Sequence, residues 1–579
     1  MKKLPLDRLL LKIARGHASR MFRAFMASTR RATAVQAEVL NAKLRRNASS
    51  DYGRTYGFAS IGSYEDFRRQ VPLQRYEDLA PYIERVKRGE LSALFGPTET
   101  VIMFALTSGT TDAPKFIPVT GSFLREYRRG WNVFGVKALM DHEGTFLRPI
   151  VQVSSPMDEF KTEAGIPCGA ITGLMASTQQ RLVRRYYVAP LCVADIPDAA
   201  ARYYTIMRLG VPLDAAFMIT ANPATQLKLV RTADAHRDTL IRDIHDGTLS
   251  TTLDVPESVR RALRGRLKPD QVTARRLSAL VDEHGALRPQ DYWRLGFIAN
   301  WLGGTMGLYR RDFTPWFGPT PVRDIGLLAS EGRMSVPIED ETPAGILEVT
   351  SHFYEFIPAA EYGTDNPVTL RAHEVEVGHE YFLLLTTSSG LYRYDIGDQV
   401  RVVDWANEAP VIEFLNRGAH VSSLAGEKLT ERQCVLAVER ACAPMARTID
   451  LFVLTPRWGD PPGYILHVEA SALPASEQSA FAARLDQALG DLNVEYQSKR
   501  ATSRLAAVSL NRLPDGYLTG LDEAAATGGR SEQFKHRYLY TAPDADASFP
   551  GSGSSTIPTR EISVTRTAKL SGDHRSGVS

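Results

Sequence analysis

The 579-residue sequence lacks the features that mark membrane, disulfide-rich and nucleic-acid-binding proteins. No stretch approaches the roughly 18 consecutive apolar residues of a membrane span. The four cysteines form no C-x-x-C pair and no zinc-ligand spacing, so they indicate buried thiols in a reducing compartment; they are Cys168, Cys192, Cys434 and Cys442. The 69 basic and 66 acidic side chains leave a net charge of only +3, too small to indicate a nucleic-acid partner. We expect a cytoplasmic protein.

Both ends of the chain differ in composition from the rest. Residues 1–47 are rich in Arg and Ala at helical spacing, and charged residues interrupt the apolar stretch near Met1, so one or two amphipathic helices are predicted rather than a secretion signal. The last residues, 546–579, contain Pro550-Gly-Ser-Gly-Ser-Ser555 and no apolar period, which predicts a disordered tail.

Between these ends the pattern predicts an α/β protein with a large sheet core. Short helices are expected over 63–94, interrupted at Val71-Pro72 and Ala80-Pro81, and a mostly helical region over 197–294 includes a helix start at Thr220-Ala-Asn-Pro223. Strands are expected in six apolar stretches: 101–119, 147–154, 297–306, 322–329, 344–350 and 380–387.

A second domain is indicated by a change of composition between Phe414 and Glu431. Beyond it the pattern alternates as helix 432–443, strands 449–454 and 463–470, helix 474–489 and strand 505–510. We therefore predict a large N-terminal domain over 1–420 and a small, mobile α+β domain over 421–545.

The most informative motif is Thr107-Ser-Gly-Thr-Thr-Asp-Ala-Pro-Lys115, which lies between two apolar runs of strand length. Such a loop can direct backbone N–H groups and hydroxyls toward phosphate oxygens, and the lysine adds a compact positive charge. It is not a Walker loop. An ordinary polar turn has the same composition.

Two acidic motifs suggest the rest of a nucleotide site. Ser330-Glu331 follows an apolar run, so Glu331 could hold Mg²⁺ at the end of a sheet strand; the alternative is a helix N-cap. Asp398 precedes the predicted strand 399–403, where it could accept both hydroxyls of a ribose. The alternative there is a Gly-Asp turn.

Two further motifs lie at and beyond the predicted domain boundary. Arg417-Gly418 and Gly426-Glu427-Lys428 place charged residues beside glycines, as in a hinge that absorbs changes of φ and ψ, although a plain linker would have the same composition. Lys535, in Ser531-Glu-Gln-Phe-Lys535, could enter a cleft from a mobile domain, or be an ordinary surface lysine.

Taken together, these motifs and their order resemble one family. Thr107–Lys115, Ser330-Glu331, Tyr392–Asp398 and Gln533-Phe-Lys535 are similar to the signatures of adenylate-forming enzymes, and most of all to the Gretchen Hagen family of acyl-acid amido synthetases. The likeness spans about residues 50 to 541 and includes Val71–Asp78 and Leu492–Tyr496. Lys535 is followed by His536-Arg537 where the plant members have Lys-x-Pro-Arg, which puts the details of the C-terminal site in question.

The resemblance implies a function, its cofactors and the roles of particular residues. The enzyme would use ATP and Mg²⁺ to adenylate a small carboxylic acid, and would then transfer the acyl group to an amino acid. The resemblance assigns Lys535, Glu331 and Lys115 to catalysis and Glu331 to the metal. It assigns the nucleotide to a larger set: Thr107, Ser108, Gly109, Thr110, Thr111, Lys115, Ser330, Glu331, Asp398, Arg417 and Lys428. A monomer without nucleic-acid partners is expected.

The acyl-acid pocket is less well specified. Family position favours the region 120–240 and the segment Trp301–Met306, but Trp131, Phe134, Phe217 and Met218 are more typical of plain core than of a pocket. Neither the acid nor the acceptor amino acid follows from the sequence. Two alternatives stay open: an acid:CoA ligase or another adenylate-forming enzyme, although the Gly-Lys signature of CoA ligases is missing, and a non-catalytic relative that binds an acyl acid or a nucleotide.

Overall fold

The computed structural model describes residues 5–107, 115–179, 181–418, 421–445, 447–526 and 537–551. Four of the predicted site residues, Ser108 to Thr111, and also Lys535, lie outside these ranges.

The chain begins with five helices, in agreement with the helical pattern of its first 90 residues. Ser50 and Ser63 cap α3 and α4 by accepting the backbone N–H three residues on. The expected break at Ala80-Pro81 is wrong, because Pro81 lies inside α5 and costs that helix only the hydrogen bond of its missing N–H. These helices are α1 (Pro5–Thr29), α2 (Ala32–Asn47), α3 (Asp51–Thr55), α4 (Tyr64–Gln70) and α5 (Tyr76–Lys87).

A four-stranded sheet follows, in the order β2-β1-β5-β4. The two apolar runs on either side of the hydroxyl-rich loop form the strands β1 and β2, which pair in antiparallel fashion. Between β2 and the next strand runs the long helix α6 (Gly121–Asp141), capped by Thr120. The strands are β1 (Val101–Thr107), β2 (Lys115–Thr120), β3 (Ile150–Gln152), β4 (Phe160–Lys161) and β5 (Pro167–Gly169), of which β3 belongs to the next sheet.

The region predicted to be helical packs around a second, parallel sheet in the order β3-β6-β7-β8. Asn222 caps α10 and Pro223 takes its first turn, as predicted. The elements are α7 (Ile171–Ser177), α8 (Arg181–Arg184), α9 (Ala199–Gly210), β6 (Phe217–Ile219), α10 (Pro223–Ala235), α11 (Arg237–Asp246), α12 (Glu257–Leu263), α13 (Gln271–His284), α14 (Pro289–Tyr292), β7 (Phe297–Asn300), α15 (Thr314–Phe317) and β8 (Val322–Asp324).

The third sheet is antiparallel and has seven strands in the order β11-β12-β17-β16-β15-β13-β14. A separate two-stranded hairpin, β9 (Leu328–Ala329) and β10 (Gly332–Arg333), precedes it. The seven strands are β11 (Ser335–Val336), β12 (Gly345–Leu347), β13 (Phe353–Pro358), β14 (Leu370–Arg371), β15 (Glu380–Thr386), β16 (Tyr394–Ala406) and β17 (Ala409–Arg417).

The C-terminal part has a hydrophobic core of its own. A three-stranded sheet, β20-β21-β22, packs against α16 and α17. The elements are β18 (Val421–Ser422), β19 (Leu429–Thr430), α16 (Glu431–Cys442), β20 (Phe452–Arg457), β21 (Gly463–Glu469), α17 (Gln478–Leu492), α18 (Val494–Ala501), β22 (Ser509–Leu513) and α19 (Tyr517–Ala526).

The predicted class, an α/β protein with a large N-terminal and a small C-terminal domain, is confirmed, and three details differ. The expected strand 297–306 ends at Asn300, and a 3₁₀ helix covers Gly304–Asp312. The expected strand 322–329 is divided between β8 and β9. The expected tail begins with a packed segment, since Phe549 is buried and stacks on His467 with ring centroids 4.1 Å apart.

Two expectations about single residues and segments can also be compared with the fold. Three cysteines are buried as predicted, whereas Cys192 is half-buried. No helix among the described residues is long and apolar enough to cross a membrane.

Candidate active site

A cavity of about 650 Å³ lies where the N-terminal body meets the C-terminal part of the chain. This volume is typical of small-molecule sites. Its walls are mostly apolar and come from Pro343 and from five segments: 301–306, 324–329, 398–418, 421–428 and 541–543. Among the described residues, the charged ones that line it are Asp324, Asp398 and Lys428.

Asp398 was expected at the entrance of a strand, but it lies within β16, which begins at Tyr394. The pairing of β16 with β15 shifts between Asp395 and Gln399, and Gly397 takes a positive φ of 71° within this irregularity. Asp398 instead lies opposite Arg417 of β17. The bulge therefore leaves a buried carboxylate at the cavity wall.

Lys428 lines the cavity and belongs to a short segment that hydrogen bonds to Glu427 hold in place. The buried Glu427 accepts the backbone N–H groups of Leu424 and Ala425, each at 2.7 Å, and the hydroxyl of Tyr464. Lys428 follows with a positive φ of 52°. The predicted hinge segment is thus a turn whose conformation depends on one carboxylate.

The backbone of this region bends at two glycines that line the cavity. Gly418 and Gly426 both have a positive φ, of 60° and 94°, a conformation that glycine adopts without a steric penalty. Arg417 ends β17 immediately before Gly418. Two of the motifs that suggested a hinge therefore lie at the same cavity as Asp398.

Ser330 and Glu331 form the two-residue turn of the hairpin β9–β10, so the alternative of a helix N-cap is wrong. Glu331 is only 2% exposed, and its Oε1 is buried without a hydrogen-bond partner. Ala329, at the start of the turn, lines the cavity. A buried carboxylate oxygen without a donor has capacity left for a cation or a polar ligand.

Asp324 is a further site residue that the motifs did not reveal. It ends the parallel strand β8, and its two oxygens accept the backbone N–H of Leu302 at 2.6 Å and of Gly326 at 2.5 Å. Burial raises the pKa of this carboxyl to about 7, although those N–H groups and Arg333 favour the charged form. Asp324 therefore ties together two loops that line the cavity. Its position at the end of a parallel strand was the one available signal.

The predicted phosphate loop is described only at its two ends. Thr107 and Lys115 lie directly opposite each other on β1 and β2. The Lys115 ammonium lies over the ring of Tyr76, 5.4 Å from its centroid. Neither residue lines the cavity.

No three His, Cys, Asp or Glu side chains within the described ranges are grouped closely enough to hold a metal ion. A site made by protein ligands alone is therefore absent from that part of the chain. A cation held by one carboxylate together with substrate oxygens needs no such group.

The four aromatic and sulfur candidates for the acyl pocket do not line the cavity. Met218 is fully buried and Phe217 stacks on Phe297 at 4.5 Å, so both belong to the core around the parallel sheet. Trp131 and Phe134 lie on α6, where both rings contact the guanidinium of Arg333.

Comparisons with known proteins agree over most of the chain. Sequence models match residues 21–322 as the GH3 family N-terminal domain, 345–417 as its central domain and 432–544 as its C-terminal domain. Jasmonoyl-L-amino acid synthetase JAR6 of Nicotiana attenuata is 26% identical over 539 residues, which cover 88% of this chain and 91% of that protein. Jasmonoyl-L-amino acid synthetase GH3.5 of Oryza sativa subsp. japonica is 28% identical over 559 residues, with 88% and 93% covered.

Solved structures give the same fold. The GH3.15 acyl acid amido synthetase superposes with a TM-score of 0.63 at 20% identity, covering 90% of this chain and 94% of that one. A structure of AtGH3.15 acyl acid amido synthetase in complex with 2,4-DB gives a TM-score of 0.64 at 20% identity, with 91% and 95% covered. The resemblance inferred from the motifs is confirmed, and the chain belongs to the GH3, or Gretchen Hagen, family.

Proposed function

We propose that this protein is an acyl-acid amido synthetase. It adenylates a small carboxylic acid with ATP and transfers the acyl group to the amine of an amino acid, with release of pyrophosphate and AMP. The observation that carries the proposal is the cavity onto which Asp398 and Lys428 converge, beside the hairpin that holds Glu331, in a chain of the GH3 family.

The chemistry explains why such a site needs charged groups around a nucleotide. A carboxylate is a poor electrophile because its charge repels nucleophiles and oxide is a poor leaving group. Attack of the acid on the α-phosphorus of ATP expels pyrophosphate and forms a mixed anhydride with AMP. The amine then attacks the acyl carbon, loses a proton, and AMP leaves as the amide forms.

In this proposal each predicted residue has one task. Asp398 accepts the ribose hydroxyls from the cavity wall, and Arg417 and Lys428 help to hold the nucleotide. The loop of Thr107, Ser108, Gly109, Thr110, Thr111 and Lys115 binds the phosphates. Lys535 stabilises the charge that develops on the α-phosphate, and the loss of one such donor typically costs on the order of 10²–10³ in rate.

The residues present fit a magnesium ion bound together with the nucleotide. The buried Oε1 of Glu331 has no hydrogen-bond partner, and Ser330 beside it adds a hydroxyl. Mg²⁺ usually takes one or two carboxylates and completes its shell with phosphate oxygens and water. When bound, it would neutralise phosphate charge and favour departure of pyrophosphate.

The domain arrangement belongs to the same proposal. Residues 1–420 carry the ATP and acyl-acid sites, and 421–545, together with the packed segment around Phe549, form a mobile domain. Rotation near Arg417–Lys428 would deliver Lys535 for the first half-reaction and open a path for the amine in the second. We further propose a cytoplasmic monomer without nucleic-acid partners.

A test of the proposal is ATP–pyrophosphate exchange with Mg²⁺ across aryl, indole and alkyl carboxylic acids, followed by incubation with pooled amino acids or CoA. Exchange that leads to an amide supports the proposal and identifies both substrates. Exchange that leads only to a thioester assigns the protein to the acid:CoA ligases. Binding of ATP or an acid without exchange would favour the non-catalytic alternative.

A further inference from the structure

Arg333 is a buried cation with unused hydrogen-bonding capacity. The side chain is 1% exposed, and its guanidinium makes one hydrogen bond, from Nη2 to the carbonyl of Ile325 at 2.6 Å. Its Nε and Nη1 are buried without a partner. Buried arginines are normally paired, since an unsatisfied charged donor costs more than a neutral one.

The surroundings hold the guanidinium in place without neutralising it. It lies 4.4 Å from the ring centroid of Trp131 and 5.2 Å from that of Phe134, which is a cation–π arrangement. Burial lowers the pKa of Arg333 to about 10, with Tyr127, Glu348 and Asp324 favouring the charged form. The group therefore stays cationic at neutral pH. The indole N–H of Trp131 is also buried without a hydrogen-bond partner.

The approach of Arg333 to α6 depends on a glycine. A Cβ atom at Gly130 would lie 2.6 Å from Cδ of Arg333, so any larger residue there would displace the arginine. Arg333 therefore packs closely against α6 because residue 130 has no side chain.

Arg333 lies directly behind one wall of the cavity. It pairs with Leu328 across the hairpin β9–β10, and Leu328 and Leu327 line the cavity. It also lies two residues after Glu331. The carbonyl of Ile325, which accepts from Nη2 of Arg333, lies between Asp324 and Gly326, and both of these residues line the cavity.

We infer that Arg333, held between Trp131 and Phe134, binds a second carboxylate on the acyl acid, so that the preferred substrates are dicarboxylic acids. The inference rests on the proposed function and adds the class of acid to it. One carboxylate is activated at the nucleotide, and the other accepts charge-assisted hydrogen bonds from the guanidinium. The rings of Trp131 and Phe134 carry no formal charge, so the guanidinium of Arg333 is the group that distinguishes a dicarboxylic from a monocarboxylic acid.

The test compares acids matched in shape, phthalate with 2-methylbenzoate and adipate with hexanoate, in ATP–pyrophosphate exchange. We expect the wild type to prefer each diacid in kcat/KM and Arg333→Met to reduce that preference by about tenfold to a hundredfold, because hydrogen bonds between charged groups are stronger than neutral ones. Replacement of a buried charge by a hydrophobic side chain is often neutral for stability, so the variant should fold.

A second variant separates recognition from folding. Gly130→Ala keeps the arginine but displaces its side chain. It should lower the diacid preference although the guanidinium is still present, and its melting temperature, measured beside that of Arg333→Met, shows how much of the loss comes from folding. A preference unchanged in both variants, or absent in the wild type, would overturn the inference while leaving adenylation intact.

Calorimetric titration of each acid without ATP distinguishes this inference from the proposed function. Diacid binding that requires Arg333, in a protein with no exchange, would support the anion site and contradict the synthetase. Diacid binding that is equal in wild type and Arg333→Met would contradict the site whatever the exchange assay shows.

Discussion

Two buried arginines differ in how completely their side chains are hydrogen-bonded. Arg333 lies on the hairpin β9–β10 at the cavity, which we call the cavity side, and Arg393 lies between β15 and β16 of the seven-stranded sheet, which we call the sheet side. Arg393, 4% exposed, donates from Nε to both oxygens of Glu355 at 3.1 Å, and its remaining nitrogens donate to two backbone carbonyls and a threonine hydroxyl. The side chain of Arg333, 1% exposed, makes a single hydrogen bond. All three side-chain nitrogens of Arg393 have hydrogen-bond partners, whereas two of the three in Arg333 have none.

The buried glutamates of the two regions follow the same division. Glu355 is 1% exposed and has both oxygens occupied by Arg393. Glu331 is 2% exposed and keeps one oxygen without a donor. Burial alone thus does not mark a functional group; Glu331 differs from Glu355 in the oxygen that has no hydrogen-bond partner.

The largest expected effect is on stability and belongs to the sheet side. Glu355→Gln breaks a buried ion pair and leaves Arg393 uncompensated, which typically costs about 3–5 kcal/mol. Urea denaturation would measure the loss in the free energy of unfolding. An unfolding free energy within about 1 kcal/mol of the wild type would remove the distinction between the two regions.

Asp324 sharpens the comparison, because it lies on the cavity side but has both oxygens occupied. Its pKa is raised to about 7, so between pH 4 and pH 7 the unfolded chain is ionised there while the folded chain keeps its proton. The wild type should therefore lose about 4 kcal/mol of stability relative to Asp324→Asn as pH rises through that window, at 1.36 kcal/mol per pKa unit.

Denaturation of both proteins at a series of pH values checks this prediction. Asp340→Asn is a matched control, since Asp340 binds the side chain of Arg323 and does not line the cavity. A wild-type and Asp324→Asn difference that is constant from pH 4 to pH 7 would show that the carboxyl is ionised throughout.

Glu331→Gln should lower activity and leave stability unchanged, whereas Glu355→Gln should lower stability. The side chain keeps its size but loses the charge that the proposed function assigns to the magnesium ion, so exchange should fall by about 10²–10³. The free energy of unfolding should stay near that of the wild type, because Oε1 of Glu331 has no hydrogen-bond partner that the substitution could remove. Exchange assays at several Mg²⁺ concentrations, beside denaturation curves, measure both. Wild-type exchange in this variant would exclude Glu331 from the metal site.

The smallest effect concerns the contact between the two parts of the chain. Arg504 donates from Nη1 to the hydroxyl of Thr225 at 3.1 Å, and Thr225→Val removes that bond at nearly constant volume. A loss of about 1 kcal/mol should change the ratio of adenylation to amide formation severalfold. Arg231→Ala, which removes the exposed pair with Asp460, is the control and should change it less. Equal ratios in all three proteins would contradict a role for this interface.

The sequence was sufficient where local chemistry decides the structure. Asn222-Pro223 predicted a helix start because an Asn cap and a proline in the first turn act within a few residues. The strands on both sides of the hydroxyl-rich loop, and the alternation of the C-terminal part, were predicted from periodicity and confirmed.

The sequence was insufficient where distant segments decide the structure. The place of Asp398 within β16 depends on a bulge against β15, and the role of Asp324 depends on N–H groups that belong to Leu302 and Gly326. No motif in the sequence distinguishes Arg333 from other strand residues, because its surroundings include Trp131 of α6, which is about 200 residues away in the chain. Pairing register and unused hydrogen-bonding capacity are properties of the folded chain.

The most direct test of the central claim uses a carboxylic acid labelled with ¹⁸O in both carboxylate oxygens, together with ATP, Mg²⁺ and an amino acid. If the acid attacks the α-phosphorus of ATP, one labelled oxygen leaves with AMP and the other stays in the amide. Mass spectrometry should therefore find AMP with one ¹⁸O and an amide with one ¹⁸O. Amide formation without label in AMP, or with label in inorganic phosphate, would contradict an acyl-adenylate intermediate.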